Sequence, residues 1–280
     1  MKKCKIYIPR GARSNWGLLD PVIRRLKDDG LFYIYNEFKH SSMHNFDISL
    51  ICGDREEMYD FTIYCFKRNI PICHFYSGIL NSFATKDDIY RHLITLMSDI
   101  QLCESKQALM NTHTLLQSVN KKSNAYVVGI SHLDDVNLCY DYVPTLPYDL
   151  ILYNPLIDKE LQKKEIREIQ ELINGPIITI GSPDEHIEIN GENHTHYNNL
   201  DREQFLGLVK KCERFITNSS CAIYEAPFLM NQENIIQIGN RNSYRSTKPE
   251  ELKMGASVKV VEILKKWWKD KNDREDNRNR

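Results

Sequence analysis

The stretch FITNSSCAIYEAPFLMNQENIIQIGNRNSYR, residues 215–245, decides the fold class, because a buried strand passes directly into a predicted helix. The apolar run over residues 215–217 ends at Asn218, and the helix is predicted to begin at Ser219 and Ser220. Backbone N–H groups at a helix start have no partner within the helix, and two neighbouring hydroxyls add to their attraction for an anion. The pattern indicates an α/β fold with an anion site at the end of this strand.

Three more side chains in this stretch suit a nucleotide diphosphate. Glu225 follows within the predicted helix and is an acceptor placed for a sugar diol. The next predicted strand ends at Gly239, beside Arg241 and Arg245, whose planar guanidinium groups pair two phosphate oxygens at once. The stretch therefore predicts a site for a diphosphate and its ribose.

Outside this stretch, short apolar runs alternate with segments of helical period, which is typical of βαβ units around parallel sheets. Glycines often follow the predicted strands, and the carboxyl edge of a parallel sheet is where ligands approach the backbone. The sequence predicts an α/β fold with two Rossmann-like domains that face each other across a cleft. The predicted strands cover residues 5–8, 48–52, 72–75, 100–103, 125–128, 150–153, 177–180, 215–217 and 235–238.

A change of composition marks the predicted boundary between the domains. Residues 131–148 contain two prolines and little periodicity, so we interpret them as the linker. The N-terminal Rossmann-like domain is predicted at residues 1–140, and the C-terminal nucleotide-binding domain, with a closing amphipathic helix, at residues 141–269. The charged tail over residues 270–280 is expected to be disordered.

Composition restricts the function classes. Lys+Arg 37 against Asp+Glu 38 leaves a formal charge of −1, so no global field attracts nucleic acid or an anionic membrane surface. No apolar run approaches the ~20 residues that cross a membrane, and the N-terminal run is too short for a signal peptide. We expect a cytoplasmic protein without a cofactor, and the sequence leaves a homo-oligomer open.

Cysteine and histidine spacing favours structural over metal-binding roles. The eight cysteines form no CxxC pair and several lie in apolar runs, so we expect reduced core thiols rather than disulfides or a metal site. His194 and His196 have no third ligand at metal spacing, so a solvated loop is favoured over a zinc site.

Charged groups also follow the predicted strands of the first domain. Arg13 lies in a turn after the first strand, where it either reaches a phosphate or is an exposed basic residue. Asp54 follows Gly53 at the end of the next predicted strand, either as a helix cap or as a catalytic carboxylate.

Asp88 is a second candidate carboxylate. It lies near the start of the helix after the third predicted strand, and Thr85 or Asp87 would cap that helix. Asp88 either pairs with Arg91 one turn later on the surface or converges with Asp54 from the neighbouring strand end.

Several segments, in order, resemble the UDP-N-acetylglucosamine 2-epimerase family, whose fold is of the glycosyltransferase-B type. The hydrolysing branch of the sialic-acid pathway is the most similar. The resemblance spans most of residues 6–245, and its last segment is the most specific. The segments are RGARSNWGLL, GDREEM, IPICHFYSG, DDIYRHLIT with SDIQLCES, VVGISHLD, and NSSCAIYEAP to IGNRNSYR.

The resemblance implies roles for individual residues. Ser219, Ser220 and Arg13 would hold the diphosphate and Glu225 the ribose of a UDP-sugar. Arg241 and Arg245 would lie nearby, and His74 and Asn154 would complete the substrate-binding set.

The resemblance also implies a mechanism. Asp54 and Asp88 would be the acid/base candidates. In such enzymes a carboxylate removes the C2 proton of the sugar while UDP leaves C1, and water then adds to the glycal-like intermediate.

The sequence departs from the family pattern in four places. Ile79 stands where an acidic residue is expected, and Asn154 replaces a histidine and cannot carry a proton at neutral pH. Asp88 replaces a longer glutamate. The short distance between Arg13 and Gly53 indicates a trimmed first domain.

Three functions therefore stay open. The first is a hydrolysing UDP-N-acetylglucosamine 2-epimerase of amino-sugar metabolism, which forms N-acetylmannosamine and UDP. The second is a glycosyltransferase of the same fold with a UDP-sugar donor, and the third is a non-catalytic nucleotide-sugar-binding protein. A transferase needs a diphosphate site more than C2 proton chemistry, so Ile79 and Asn154 are compatible with it.

Overall fold

The computed structural model describes residues 2–9, 13–35, 46–82, 84–181, 188–191, 193–198 and 200–278, with the side chains of residues 13–16 and 275–278 excepted. The chain divides into two units. The first comprises residues 1–135 with 250–280, and the second comprises residues 136–249.

Strands and helices alternate along most of the chain. In chain order they are β1 (Cys4–Tyr7), α1 (Arg13–Asp28), β2 (Phe32–Tyr35), β3 (Ile48–Cys52), α2 (Glu56–Lys67), β4 (Ile72–Phe75), α3 (Lys86–Met97), β5 (Ile100–Cys103), α4 (Lys106–Ser118), β6 (Ala125–Val127), β7 (Asp149–Leu152), α5 (Lys159–Leu172), β8 (Ile177–Ile180), β9 (Thr195–Tyr197), α6 (Arg202–Lys211), β10 (Arg214–Thr217), α7 (Cys221–Tyr224), β11 (Ile235–Gln237) and α8 (Ala256–Arg278).

The first unit contains a parallel sheet in the order β2-β1-β3-β4-β5-β6. Its central strands β3, β4 and β5 are buried at every position, as expected for a sheet covered on both faces. The chain leaves β1 toward β2 on one side and returns through β3 on the other. The topological switch point, where ligands bind in such sheets, therefore lies between β1 and β3.

The second unit contains a parallel sheet in the order β11-β10-β7-β8-β9. Strands β7 to β9 extend to one side and β10 with β11 to the other. The switch point of this sheet lies between β7 and β10. The core below it contains buried Leu150, Phe215 and Leu208.

Nine of the structure's strands lie where the apolar runs predicted them, within one residue at each end. The sequence missed β2, an edge strand in which Tyr33 is exposed, and β9, whose sequence Thr-His-Tyr has no apolar run. His196 therefore lies in a strand, contrary to the loop that the sequence suggested. His194 and His196 both form a hydrogen bond with the Thr179 hydroxyl, since His194 Nε2 and His196 Nδ1 each lie 2.7 Å from Thr179 Oγ1.

The C-terminal helix differs most from the expectation. It belongs to the first unit rather than to the second, and the division falls at residue 135 rather than 140. Trp268 is buried and its Nε1 donates to Lys2 O at 2.9 Å, while Lys265 pairs with Asp29 at 2.8 Å. These anchors hold α8 on the first unit, and the helix continues to Arg278, through a segment expected to be disordered.

All eight cysteines are free, and seven of them are buried. Burial raises the pKa of the Cys4, Cys65 and Cys212 thiols to about 12, so they pack as small apolar side chains. None of the helices in the described part of the chain is long and apolar enough to cross a membrane.

Candidate functional site

The switch point of the second sheet is closed by a reciprocal pair of hydrogen bonds. Asn218, directly after β10, accepts at Oδ1 from Asn154 N at 2.7 Å and donates from Nδ2 to Asn154 O at 2.8 Å. Asn218 is fully buried, so its side-chain amide is shielded from water, whereas Asn154 is half-buried. The pair joins the turns that follow β7 and β10, and sequence reasoning had assigned no role to Asn218.

Ser219 and Ser220 begin the turn after this pair. Ser219 N donates to Thr217 Oγ1 at 2.9 Å, and Ser220 precedes α7 with φ −65° and ψ −12°. The Ser220 side chain makes no capping hydrogen bond to α7, and both serines are partly exposed. Helix α7 has only four residues, far shorter than predicted, so the hydroxyls and backbone N–H groups contribute more to this edge than a helix dipole.

The segment after β11 packs onto the serine turn. Asn242 Nδ2 donates to Ser219 O at 3.0 Å, and Arg245 Nε donates to Asn242 Oδ1 at 3.2 Å. Arg241 Nη1 donates to Pro155 O at 3.3 Å. The structure therefore brings Arg241 and Arg245 to the same sheet edge as the serines, and Asn242, which sequence reasoning missed, connects them.

Glu225 ends α7 and pairs with Arg202 of α6, with Oε1 and Nη2 2.6 Å apart. The side chains are 15% and 30% exposed, so this ion pair borders solvent rather than filling the core. Arg202 was not recognised from the sequence, because the two residues are far apart in the chain.

A buried pair supports this edge from below. Tyr153 Oη donates to Glu165 Oε2 at 2.7 Å, and burial, together with the Glu165 carboxylate, raises the Tyr153 pKa. Gly239 has φ +63°, and a Cβ at this position would overlap the Glu165 carboxylate. A glycine is therefore required after β11 for backbone conformation and for space.

The edge of the first sheet carries charges instead. Asp54 follows β3 at the switch point, and the Arg91 guanidinium of α3 pairs with both Asp54 and Asp88. Arg91 and Asp88 are buried, whereas the Asp54 side chain is 24% exposed. Asp54 is not the cap of α2, since that position belongs to Arg55.

Asp88 is enclosed by hydrogen bonds to the protein, and the acid/base role expected of it stays a prediction. Its Oδ2 accepts from Thr85 N at 3.0 Å while Asp88 N donates to Thr85 Oγ1 at 3.2 Å, and these reciprocal bonds form a capping box at the start of α3. Its Oδ1 accepts from Asn81 Nδ2 at 2.7 Å and from Arg91. Both oxygens are occupied and the residue is 2% exposed, so Asp88 holds Arg91 in place in this structure.

His74 is likewise enclosed by the protein. It is fully buried in β4, with Nε2 3.0 Å from Gly53 O and Nδ1 3.0 Å from Thr95 Oγ1. Burial lowers the His74 pKa to about 4, so the ring is neutral at pH 7. Because a carbonyl only accepts, Nε2 carries the proton of the neutral ring and donates it to Gly53 O. His74 therefore holds the turn before Asp54 in this structure, and the substrate-binding role expected of it stays a prediction.

Two further sequence predictions concern the first unit. Arg13 is the first residue of α1, but its side chain lies outside the described residues. Ile79 is buried, which agrees with its apolar character and leaves no acid at this position. Among the described residues, no cluster of three or more potential metal ligands occurs.

The sequence of this chain is similar to a known family and to two 2-epimerases. A model of the UDP-N-acetylglucosamine 2-epimerase family matches residues 36–280. A GDP/UDP-N,N'-diacetylbacillosamine 2-epimerase (hydrolyzing) from Campylobacter jejuni is 27% identical over 229 residues, 71% of this chain and 58% of the relative. A UDP-N,N'-diacetylbacillosamine 2-epimerase (hydrolyzing) from Legionella pneumophila is 23% identical over 224 residues, with the same coverage. The chain thus spans 58% of the length of these relatives.

A solved structure shares the fold. The UDP co-structure of MnaA from S. aureus superposes with a TM-score of 0.71 at 14% identity, and covers 96% of this chain and 97% of that chain. The family resemblance and the two-domain α/β fold predicted from the motifs are confirmed.

Proposed function

Because the chain belongs to the UDP-N-acetylglucosamine 2-epimerase family, we propose that it binds a UDP-sugar and hydrolyses it with inversion at C2, forming N-acetylmannosamine and UDP. The observation that carries this proposal is the Asn154–Asn218 pair, which leaves Ser219 and Ser220 partly exposed at a switch point. This is the edge where α/β sheets bind nucleotides.

The binding half of the proposal uses the second unit. The hydroxyl and backbone N–H groups of Ser219 and Ser220 would bind the diphosphate, with Arg241 and Arg245 supplying positive charge. Glu225 would accept from the ribose hydroxyls. The UDP present in the S. aureus MnaA structure supports this choice of nucleotide.

The chemical half rests on Asp54. Its carboxylate would take the C2 proton while the C1–O bond breaks, its electron pair leaves with UDP, and a C1=C2 double bond forms. Water would then supply hydroxide to C1, and a proton would return to C2 from the opposite face. The ion pair with Arg91 fixes the direction of the Asp54 carboxylate throughout.

The direct test incubates the protein with UDP-N-acetylglucosamine and, separately, with UDP-N,N'-diacetylbacillosamine, the sugar nucleotide named for its relatives. We expect UDP and the C2-inverted sugar, detected by chromatography and by deuterium incorporation at C2 in D₂O. Asp54→Asn should lower turnover about 10²- to 10⁴-fold with UDP binding retained. If neither sugar nucleotide gives product at high protein concentration, the proposal is overturned.

One observation favours a second candidate, a UDP-sugar-binding protein without turnover. Asp54 and Asp88 share a single guanidinium, and Ile79 supplies no acid. This candidate predicts that UDP raises the melting temperature while neither wild type nor Asp54→Asn releases sugar. A measurable difference in turnover between the two proteins would exclude it.

We also propose a cytoplasmic location, and a homo-oligomer remains to be tested. The eight free cysteines support a reducing compartment. Recovery of the native protein in a secreted fraction would contradict the location, and light scattering would give the oligomeric state.

A further inference from the structure

A concave surface lies in the first unit, at the amino-terminal edge of its sheet. Asp54 lies at the opposite, carboxyl-terminal edge. The concave surface is a groove of about 500 Å³. Pro71 precedes β4, Ile100 begins β5 and Asn124 precedes β6, so the groove runs along the amino-terminal ends of these three strands. Helix α8 forms its other wall, and we call it the α8 groove. Its volume lies within the ~300–1,000 Å³ typical of sites for small organic ligands.

One face of α8 lines the groove. Ile263, Lys266, Trp267, Asp270, Lys271 and Arg274 recur at intervals of three and four residues, which places them on a single side of a helix. Trp267 and, from β6, Tyr126 add aromatic surface. The Lys271 ammonium lies 5.3 Å from the Trp267 ring centroid, so positive charge and aromatic surface are adjacent.

The charges of the groove are unbalanced. Among the described side chains that line the groove, Lys266, Lys271 and Arg274 accompany one carboxylate, that of Asp270, although the whole chain has a formal charge of −1. Within the part of the chain that the structure describes, none of these three cations forms a salt bridge. The adjacent Lys265, outside the groove, pairs with Asp29.

We propose that the α8 groove binds a small anion that bears an aromatic ring, a nucleoside phosphate, at a site separate from Ser219 and Ser220. The cations attract the phosphate, and the aromatic and apolar wall gives the base a surface to contact. A purely apolar ligand would leave the three cations without partners, and inorganic phosphate would leave the aromatic wall unused. The inference is independent of the proposed epimerase function.

The test measures AMP binding to the full chain by isothermal titration calorimetry. The Ser219→Ala plus Ser220→Ala variant serves as the background, because it removes the proposed diphosphate ligands of the other site. We expect one saturable AMP site in this background, with adenosine and inorganic phosphate each binding at least about 10-fold more weakly.

Matched charge reversals locate the site. Arg274→Glu should weaken AMP binding about 10-fold, the loss of one strong charged contact. Lys269→Glu changes the net charge by the same amount at an exposed α8 position outside the groove, and should leave affinity within about two-fold. Circular dichroism melting checks that both variants fold, and Lys266→Glu repeats the test at a second position.

Four outcomes would overturn the proposal. They are no saturable AMP binding at millimolar concentration, equal weakening by Arg274→Glu and Lys269→Glu, inorganic phosphate binding as tightly as AMP, or a glutamate-rich peptide binding more tightly than AMP. Epimerase activity has no bearing on any of them, so failure here and failure of the proposed function are distinguishable.

Discussion

The two sheets of this protein have similar carboxyl edges built from opposite chemistry. At the first, Asp54, Arg91 and Asp88 carry full charges that pair with one another. At the second, Asn218 uses a neutral amide to hold the turns, and Ser219 and Ser220 remain partly exposed. A buried charge must be paired to be tolerated, whereas a neutral amide that satisfies backbone groups leaves its neighbours available for a ligand.

This difference separates the roles of the two edges. At the second edge Ser219 and Ser220 are partly exposed beside the buried Asn218, which suits the binding role proposed for them. At the first edge, of the three candidates Asp54, Asp88 and His74, Asp54 alone is partly exposed, because Asp88 and His74 are enclosed by their protein partners. Four predictions test this contrast, from the largest effect on the free energy of unfolding to the smallest.

Arg91→Met should have the largest effect. It keeps most of the side-chain volume but leaves two carboxylates without their cation, so the free energy of unfolding should fall by about 3–5 kcal/mol. Arg24→Met is the control, since Arg24 and Asp20 form an exposed pair worth about 0–1 kcal/mol. Urea denaturation measures both, and equal losses would show that the Arg91 pairs are not buried.

His74 should make stability depend on pH. Its folded pKa of about 4 lies below the ordinary 6.5, so the unfolded chain binds the proton first as pH falls. The contribution of His74 to the free energy of unfolding is therefore fully present above pH 6.5. It is lost as the pH falls from about 6.5 to 4, and the loss is on the order of 3 kcal/mol at most.

His74→Gln, which keeps a donor toward Gly53, should flatten this dependence in urea denaturation across the same pH window. His92 and His194 also have pKa values lowered by burial, so part of the slope should remain. An unchanged slope in the variant would mean that His74 is not buried and neutral.

Asn218→Ala should cost about 1–3 kcal/mol, because the backbone N–H and C=O of Asn154 lose their partners. UDP binding should weaken with it, since the serine turn is no longer held. Asn231→Ala is the control: Asn231 is exposed and its side chain makes no capping bond. Differential scanning fluorimetry with and without UDP separates the two effects. A loss of stability equal to that of Asn231→Ala would show that the Asn154–Asn218 hydrogen bonds do not hold the turns.

Ser219→Ala plus Ser220→Ala should have the smallest effect on stability, within about 0.5 kcal/mol, because surface substitutions rarely cost more. UDP should nevertheless cease to raise the melting temperature. A variant that keeps the full UDP shift would remove these serines from the proposed diphosphate site.

Local sequence patterns predicted the fold class and much of the second edge. The NSS turn after a buried strand and the two arginines after Gly239 do lie at one sheet edge. Strands β2 and β9 were missed, because an edge strand with exposed positions carries too little apolar signal. The place of α8 was also missed, because an amphipathic face does not specify which unit covers it.

The sequence by itself determined the α/β alternation, the positions of nine strands and the family, since these follow from local periodicity and from motifs read in order. Only the tertiary structure decided which polar residues are paired inside the protein: Arg91 with Asp54, His74 with Gly53 and Asn218 with Asn154. Residues far apart in the chain compete for the same hydrogen bonds, and that competition is settled by strand order and burial, which no local pattern contains.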